Sequence, residues 1–284
     1  MKHAYLILAH TSVKLLTELI ASLDDERNDI YIHLDKKFNI DLSVLQTQKS
    51  RLRPISQRLD ARWGDYSLVK AEYLLYETAF SNGPYEYYHL LSGVDHPVKT
   101  QDYIHDFCEK NKGKEFIGFA LHTPKREIQW RSQHYFLFSK SFKSSNLLLK
   151  VIRSAFARFQ TLIGYKRTDL TVLKGCQWTS VTNEFVAYLI DNKKNIEQIF
   201  NHTYCPDEFV AQTLCWNSHF KNNIYDLSDE FNGCLRFITW KEGVIQNMDD
   251  VSAEEMVYSN KLFARKFTES GLDTINSIQR LLEV

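Results

Sequence analysis

The chain opens with a short apolar run, a helix-spaced apolar stripe and a second short apolar run, and that order restricts what it can fold into. Residues 4 to 9 (AYLILA) and 30 to 34 (IYIHL) are apolar and rich in β-branched and aromatic side chains, while Leu15, Leu16, Leu19, Ile20 and Leu23 recur between them at helical spacing. A strand, a crossover helix and a second strand form a βαβ unit. The pattern then repeats. A helical stripe over Ser67 to Phe80 closes at Ser81-Asn82-Gly83-Pro84 and feeds the strand-like run YEYYHLLSG, and a helix over Asp102 to Lys110 precedes a strand at Phe116 to Phe119. Such alternation predicts an α/β fold with a mainly parallel, Rossmann-like sheet flanked by helices, and ligands at the carboxyl ends of its strands.

From about 120 to 170 the alternation weakens. The basic, aromatic stretch PKREIQWRSQHYFLFSKSFK leads into an amphipathic helix near Leu147 to Ile163, read here as an insertion bordering the site. Beyond it the sequence predicts a strand at Gln177 to Val181, a helix over Asn183 to Ile190, and a helix starting at Pro206, where a missing N–H costs nothing. No linker, repeat or low-complexity tract divides the chain, so residues 1–284 read as one domain, with 1–120 as its nucleotide-binding half and 121–284 as its acceptor-binding and catalytic half.

Composition excludes more than it selects. Lys and Arg number 35 and so do Asp and Glu, which leaves no global field to draw the protein onto nucleic acid; a polyanion must be met by a local basic patch. The opening apolar run is too short for a signal peptide or a transmembrane segment, so the expectation is a soluble protein. Five scattered cysteines without Cys-x-x-Cys spacing argue against a disulfide framework and a zinc site, and a reducing cytoplasm is the simplest home. The fifteen Tyr and eighteen Phe suit surfaces that pack on sugar rings, and an aromatic core explains them equally well.

Two segments carry charge where chemistry could use it. In Cys205-Pro206-Asp207-Glu208-Phe209 two carboxylates fall at a helix start; acidic residues are common there as complements to the helix dipole, and the functional reading makes Glu208 a general base, with Asp207 capping or orienting. In Leu262-Phe263-Ala264-Arg265-Lys266-Phe267 adjacent cations are framed by apolar residues, a pair that is solvated on an open surface and a phosphate ligand if it lines a cleft. There is no Asp-x-Asp to grip a divalent metal against a diphosphate, and the acidic clusters Asp24-Asp25-Glu26 and Asp249-Asp250 read as solvated surface. Ala9-His10, Asp35, the Trp63-Gly64 turn and Asp95 fall at strand ends or before a helix, where Asp35 would meet a ribose hydroxyl and Asp95 a donor sugar; taken singly, each also serves as a turn or cap. His10, His33 and His96 lack metal-ligand spacing.

Taken together, AYLILAH, IYIHLDKK, RWGDYSLVKAEYLL, YYHLLSGVDHPVKT, KGCQWTSVTNEFVAYL, TYCPDEFVAQTL, LRFITW and LFARKF resemble, in order and end to end, the core-2/I-branching family, glycosyltransferase family 14, which holds β-1,6-N-acetylglucosaminyltransferases and peptide xylosyltransferases. The resemblance implies a GT-A-like fold, a UDP-sugar donor, β-linked products formed by inversion, and no metal cofactor. It places the base at Glu208, the diphosphate cations at Arg265 and Lys266, and the nucleotide pocket at Ala9, His10, Asp35 and Trp63-Gly64. Arg126, Trp130 and Trp240 take the acceptor side, and the acceptor is a glycan or a lipid-linked saccharide.

The chain also departs from the family. A further diphosphate arginine after the LRFITW block is replaced by Lys241 or by nothing, and an acceptor-contacting tyrosine becomes Glu242. The disulfide cysteines and membrane anchor of the animal enzymes are absent, which resembles bacterial members acting on surface or capsular glycans, cytoplasmic or peripheral at the inner membrane face. These departures keep open a module of the same fold that binds a nucleotide sugar or glycan without transferring it.

Overall fold

The computed structural model describes residues 2–241 and 243–283. The opening folds as its pattern predicts: β1 (His3–Ala9), α1 (Val13–Ser22) and β2 (Asn28–Leu34) make the βαβ unit, with every residue of both strands buried. There follow β3 (Arg51–Pro54), α2 (Ser67–Phe80), β4 (Tyr87–Ser92), β5 (His96–Pro97), α3 (Gln101–Lys110), α4 (Lys125–Ser132) and α5 (Leu147–Leu162). The remainder comprises β6 (Ser180–Thr182), α6 (Asn183–Asp191), α7 (Lys193–Phe200), α8 (Val210–Trp216), α9 (Glu230–Cys234), β7 (Arg236–Phe237), β8 (Trp240–Lys241), β9 (Val244–Ile245), α10 (Ala253–Tyr258), β10 (Phe263–Ala264) and α11 (Leu272–Leu282).

The central sheet has the order β3-β2-β1-β4-β6; its first four strands run parallel and β6 is antiparallel to β4. Helices cover both faces, which is the mainly parallel α/β arrangement that the alternation predicts. The period of two along β1 separates the cores: Ala4, Leu6 and Leu8 join α2, α6 and α8 on one face, and Tyr5, Ile7 and Ala9 join α1 and α3 on the other. Ser12 caps α1 by accepting the Leu15 N–H, and the buried Leu15, Leu16, Leu19 and Ile20 each stabilise the fold by about 1.5–3 kcal/mol. A second sheet, β5-β10-β7, places β10 antiparallel to β5 and parallel to β7, so Arg265 leaves its middle strand beside the end of the central sheet.

Three expected elements differ. Residues 116–119 form no strand, only single bridges from Phe116 to Ser180 and from Glu115 to Ile224. Here backbones meet face to face: a Cβ on Gly175 would lie 1.8 Å from the Gly118 carbonyl oxygen, and one on Gly118 would lie 2.3 Å from that of Glu230. The strand expected at 177–181 shrinks to β6 because Gln177 and Trp178 turn toward other partners. Pro206 opens a single 3-10 turn, Pro206–Glu208, which Phe209 (φ −126°) separates from α8, so Asp207 and Glu208 are not in the first turn of an α-helix.

In the acidic clusters Glu26 and Asp250 are exposed as expected, but three neighbours have structural partners. Asp24 accepts the backbone N–H groups of Gln48, Lys49 and Ser50, and Asp25 pairs with Arg27 at 2.8 Å. Asp249 accepts the Thr268 N–H at 2.9 Å and fastens the segment that follows Arg265-Lys266.

Candidate active site

The crevice forms where the central strands end. The Ala9 carbonyl accepts the Asp35 N–H at 2.8 Å, and His10 follows, exposed. Buried Asp35 uses both oxygens on its own loop, Oδ1 accepting the Lys37 N–H at 2.8 Å and Oδ2 the Ala61 N–H at 2.9 Å. Beyond β4, buried Asp95 accepts from the Ser92 hydroxyl at 2.6 Å and the Ser92 N–H at 2.9 Å. Each carboxylate therefore shapes the loop that carries it.

Arg265 lies against this rim. Its Nε is 3.6 Å from Asp95 Oδ1, and its guanidinium lies 4.1 Å from the centre of the Trp178 ring. The His10 pKa is lowered, first by partial desolvation and then by the positive charges of Lys143, Arg265 and Lys37, with Asp35 opposing. Lys266 is exposed, and its carbonyl accepts the Met248 N–H at 2.9 Å.

The opposite wall holds Glu208 at the end of its 3-10 turn, following Cys205 in the left-handed region (φ 50°). Glu208 Oε2 accepts from Arg131 at 2.6 Å and lies 3.8 Å from Lys174 Nζ, whereas Oε1 has no hydrogen-bond partner among the described residues. Arg131 is itself wedged between the rings of Tyr204 (5.3 Å) and Phe209 (4.9 Å), with Glu127 one helical turn away at 3.3 Å. Burial is the largest single influence and opposes its charge, but Glu208, Cys205 and Glu127 together overcome it and its pKa is raised. A carboxylate so held has one oxygen fixed and one available to accept a proton.

Residues 174–178 join the two walls. The Gly175 N–H donates to the Glu208 carbonyl at 2.9 Å, Lys174 faces the Glu208 carboxylate, and Trp178 supports Arg265. At ~3.4 Å per extended residue, four steps of chain cover at most about 14 Å, which bounds the separation of the two ends. The remaining rim is aromatic. Tyr204 meets Phe142 at 4.7 Å and Trp63 at 5.7 Å, Lys143 lies 5.4 Å from the Trp63 ring centre, and the Gly64 carbonyl accepts the Cys205 N–H at 3.0 Å. Gly64 has φ +80°, and a Cβ there would meet Phe142 at 3.3 Å.

Beside Glu208 a cleft of about 400 Å³ runs between residues 119–124 and 227–231, with Glu127, Lys174 and Glu230 in its wall. Burial pushes the Glu230 carboxyl up to about 7, with Lys174 opposing. Behind the 3-10 turn, Glu72 and Asp207 line a small cavity of about 20 Å³. Gln177 donates to Glu72 at 2.5 Å; burial raises Glu72 well above the carboxylate range and, with the charge of Glu208, lifts Asp207 to about 7.

The structure thus sets Arg265 beside Asp95 and Trp178, Asp35 against Ala61, and Trp63 and Gly64 against Tyr204 and Cys205, while Glu208 meets Arg131 and Lys174 at the far end of the 174–178 segment. Arg126 is exposed on α4, and Trp130 on the same helix packs with His134 and Phe136; it is Arg131 of that helix that reaches Glu208, with Glu127 pairing to Arg131. Trp240 and Lys241 are exposed on the β8-β9 hairpin, and Glu242 lies outside the described residues. Sequence reasoning missed Arg131, Lys174, Trp178, Glu230 and the Glu72–Asp207 pair; only Glu127 and Arg131, four apart on one helix, left a readable signal. Among the described residues, His3, His89 and Cys108 bring metal-type donor atoms within 4.8 Å of one another. They lie inside the sheet, where the His89 nitrogens already pair with Ser180 (2.8 Å) and His3 (3.1 Å).

A mainly parallel sheet with carboxylates at its strand ends, and one irregular strap with a held carboxylate at one end and a cation at the other, is the pattern of an α/β protein whose ligand site lies at the carboxyl ends of its strands. The chain belongs to the Core-2/I-Branching enzyme family, whose family model matches residues 3–270. Over 220 residues, 73% of this chain and 23% of the relative, it is 24% identical to "Xylosyltransferase oxt" of Drosophila pseudoobscura pseudoobscura. It is 20% identical over 250 residues, 84% of this chain and 55% of the relative, to the human "Beta-1,3-galactosyl-O-glycosyl-glycoprotein beta-1,6-N-acetylglucosaminyltransferase". It therefore spans about a quarter to about half of the length of these relatives. The apo crystal structure of mouse xyloside xylosyltransferase 1 is similar at a TM-score of 0.41 and 11% identity, over 93% of this chain and 97% of that one.

Proposed function

We propose that this protein is an inverting glycosyltransferase that moves GlcNAc or xylose from a UDP-sugar to a glycan hydroxyl without a metal ion. The observation that carries the reading is the Glu208 carboxylate, held through Oε2 by Arg131 at one end of the 174–178 strap, with Arg265 against Trp178 at the other end. The family relatives named above support transfer of these sugars.

In the proposed reaction the acceptor oxygen forms a bond to the anomeric carbon as the bond from that carbon to the UDP oxygen breaks. The hydroxyl proton passes to Glu208 Oε1, and the bonding pair leaves on the diphosphate. Negative charge grows there in the transition state, so Arg265, with Lys266 beside it, contributes most at that moment. Side-chain cations take the part of a metal, in keeping with the absence of Asp-x-Asp. The cleft beside Glu127, Lys174 and Glu230 is the acceptor side in this reading.

The test is a panel of UDP-sugars scored for UDP release in excess chelator, with Glu208→Gln in parallel. UDP release by the wild type in chelator is expected, and Glu208→Gln is expected to keep UDP binding while losing roughly two to four orders of magnitude in turnover. Unchanged turnover in the variant removes the base assignment. Activity lost in chelator and restored by Mn²⁺ removes the metal-free one, and binding without UDP release from any donor identifies a binding module instead.

A further inference from the structure

Helix α5 is built inside out. Its inward side is polar: Arg153 donates to the carbonyls of Leu137, Phe138 and Ser141, and Gln160 exchanges hydrogen bonds of 2.8 Å with the Tyr135 backbone. Its outward side is apolar. Leu148, Ile152, Phe159 and Leu162 are 65%, 39%, 54% and 85% exposed, spaced so as to share one face, and Leu147 and Val151 flank them. A helix of a globular protein ordinarily buries such a stripe, so this one is left for something outside the described residues.

Charge decides among occupants. The chain is neutral overall, with 35 residues of each sign, yet from residue 131 to 168 it contains eight Lys and Arg and no Asp or Glu. Lys140, Lys143, Lys150 and Arg158 are exposed around the stripe. An apolar face with a basic border and no acidic group matches the boundary between acyl chains and anionic headgroups, where apolar side chains enter and Lys or Arg meet phosphate. The helix, sixteen residues and therefore ~24 Å long, lies along such a surface; no helix among the described residues is long and apolar enough to cross a membrane.

We propose that the outer face of α5 docks this protein on an anionic lipid surface. The approach to the helix also borders the crevice, through Phe142 against Tyr204 (4.7 Å) and Lys143 over Trp63 (5.4 Å), so docking brings the crevice mouth to the lipid. Docking stands without the transferase reading; combined with it, docking makes a saccharide held at the membrane the acceptor.

The experiment is co-sedimentation of the full chain with vesicles of phosphatidylcholine alone or mixed with phosphatidylglycerol, at low and high salt. Binding to the anionic vesicles, weakened by salt, is expected. Leu148→Gln with Ile152→Gln and Phe159→Gln is expected to reduce it at least tenfold, and Lys150→Glu with Arg158→Glu about tenfold on anionic vesicles only. These exposed substitutions leave the thermal melt in place and, in solution with a soluble acceptor, leave UDP release unchanged, so failure of docking is separable from failure of the transferase reading. No binding by the wild type, or binding by the triple variant equal to wild type, overturns the proposal. So does a dimer that forms without lipid and is dissolved by the triple variant, since a second copy would then cover the face.

Discussion

The two walls of the crevice are made differently. The strand-end wall (Ala9, His10, Asp35 and Asp95) sits on regular elements, and its carboxylates accept hydrogen bonds from residues within about 26 positions or fewer along the chain, as in Asp35 to Ala61 and Asp95 to Ser92. The Glu208 wall has almost no regular structure at its centre, and its charges are held by partners far off in sequence, 77 positions for Arg131 to Glu208 and 105 for Gln177 to Glu72. The first wall is a scaffold stabilised locally; the second is a set of polar and ionisable groups that the whole fold must bring together. In the proposed reaction the first holds the donor and the second does the proton chemistry.

The contrast breaks most readily at Arg131. Arg131→Met is expected to lower turnover about a hundredfold, because Glu208 loses the bond that fixes Oε2, while the KM for the donor stays near wild type. A raised donor KM with unchanged turnover would show that the two walls do not divide the work in this way. The reciprocal change, Arg265→Ala, removes a charge-assisted contact of about 1.5–3 kcal/mol and is expected to weaken UDP binding roughly tenfold to a hundredfold, read by calorimetry with UDP alone. A smaller effect sharpens the comparison through pH. Asp207 is protonated in the folded protein up to about 7 but ionises near 4 when unfolded, so its folded pKa is the raised one. Its contribution to stability is full below about pH 4 and is lost as pH rises through about 7. Denaturation midpoints should therefore fall across this window, and Asp207→Asn should flatten the fall; equal slopes in the two proteins would show that another group carries it. Gly64→Ala is expected to cost about 1–2 kcal/mol, from φ +80° and the contact with Phe142, and is read as a lowered melting temperature.

The same division explains what the sequence reveals. The run from β1 through α3 is legible because strands and helices there bury apolar stripes of period two and 3.6, and α2 begins and ends at Ser67 and Phe80, where its stripe and turn signals place it. The helix at Pro206 and the strand at 116 are misread because local pattern cannot register close backbone crossing at Gly118 and Gly175. Glu208 and Arg265 are identified through resemblance to family blocks, since a carboxylate at a turn and a cation pair before Phe267 are commonplace by themselves. Lys174 and Glu72 escape for a physical reason: a buried polar group is marked by its partner, and theirs are 34 and 105 residues away; the Glu208 partner of Arg131 lies 77 away. α5 is read correctly as amphipathic, but periodicity gives the existence of an apolar face and not its direction.

The contact between Gly118 and Gly175 has a mechanical consequence. Gln212 of α8 donates to the Gly118 carbonyl at 3.1 Å and to the Cys176 carbonyl at 2.8 Å, so the strap between the two walls is riveted at its midpoint to α8 and to the 116–119 segment. Its ends, Lys174 beside the base and Trp178 beneath the arginine, behave like the jaws of a caliper locked at one gauge. If the proposed reaction holds, acceptors of different bulk are accommodated by shifts of α4 and α9 around the neighbouring cleft, and acceptor selectivity can drift while the distance from Glu208 to Arg265 stays the same.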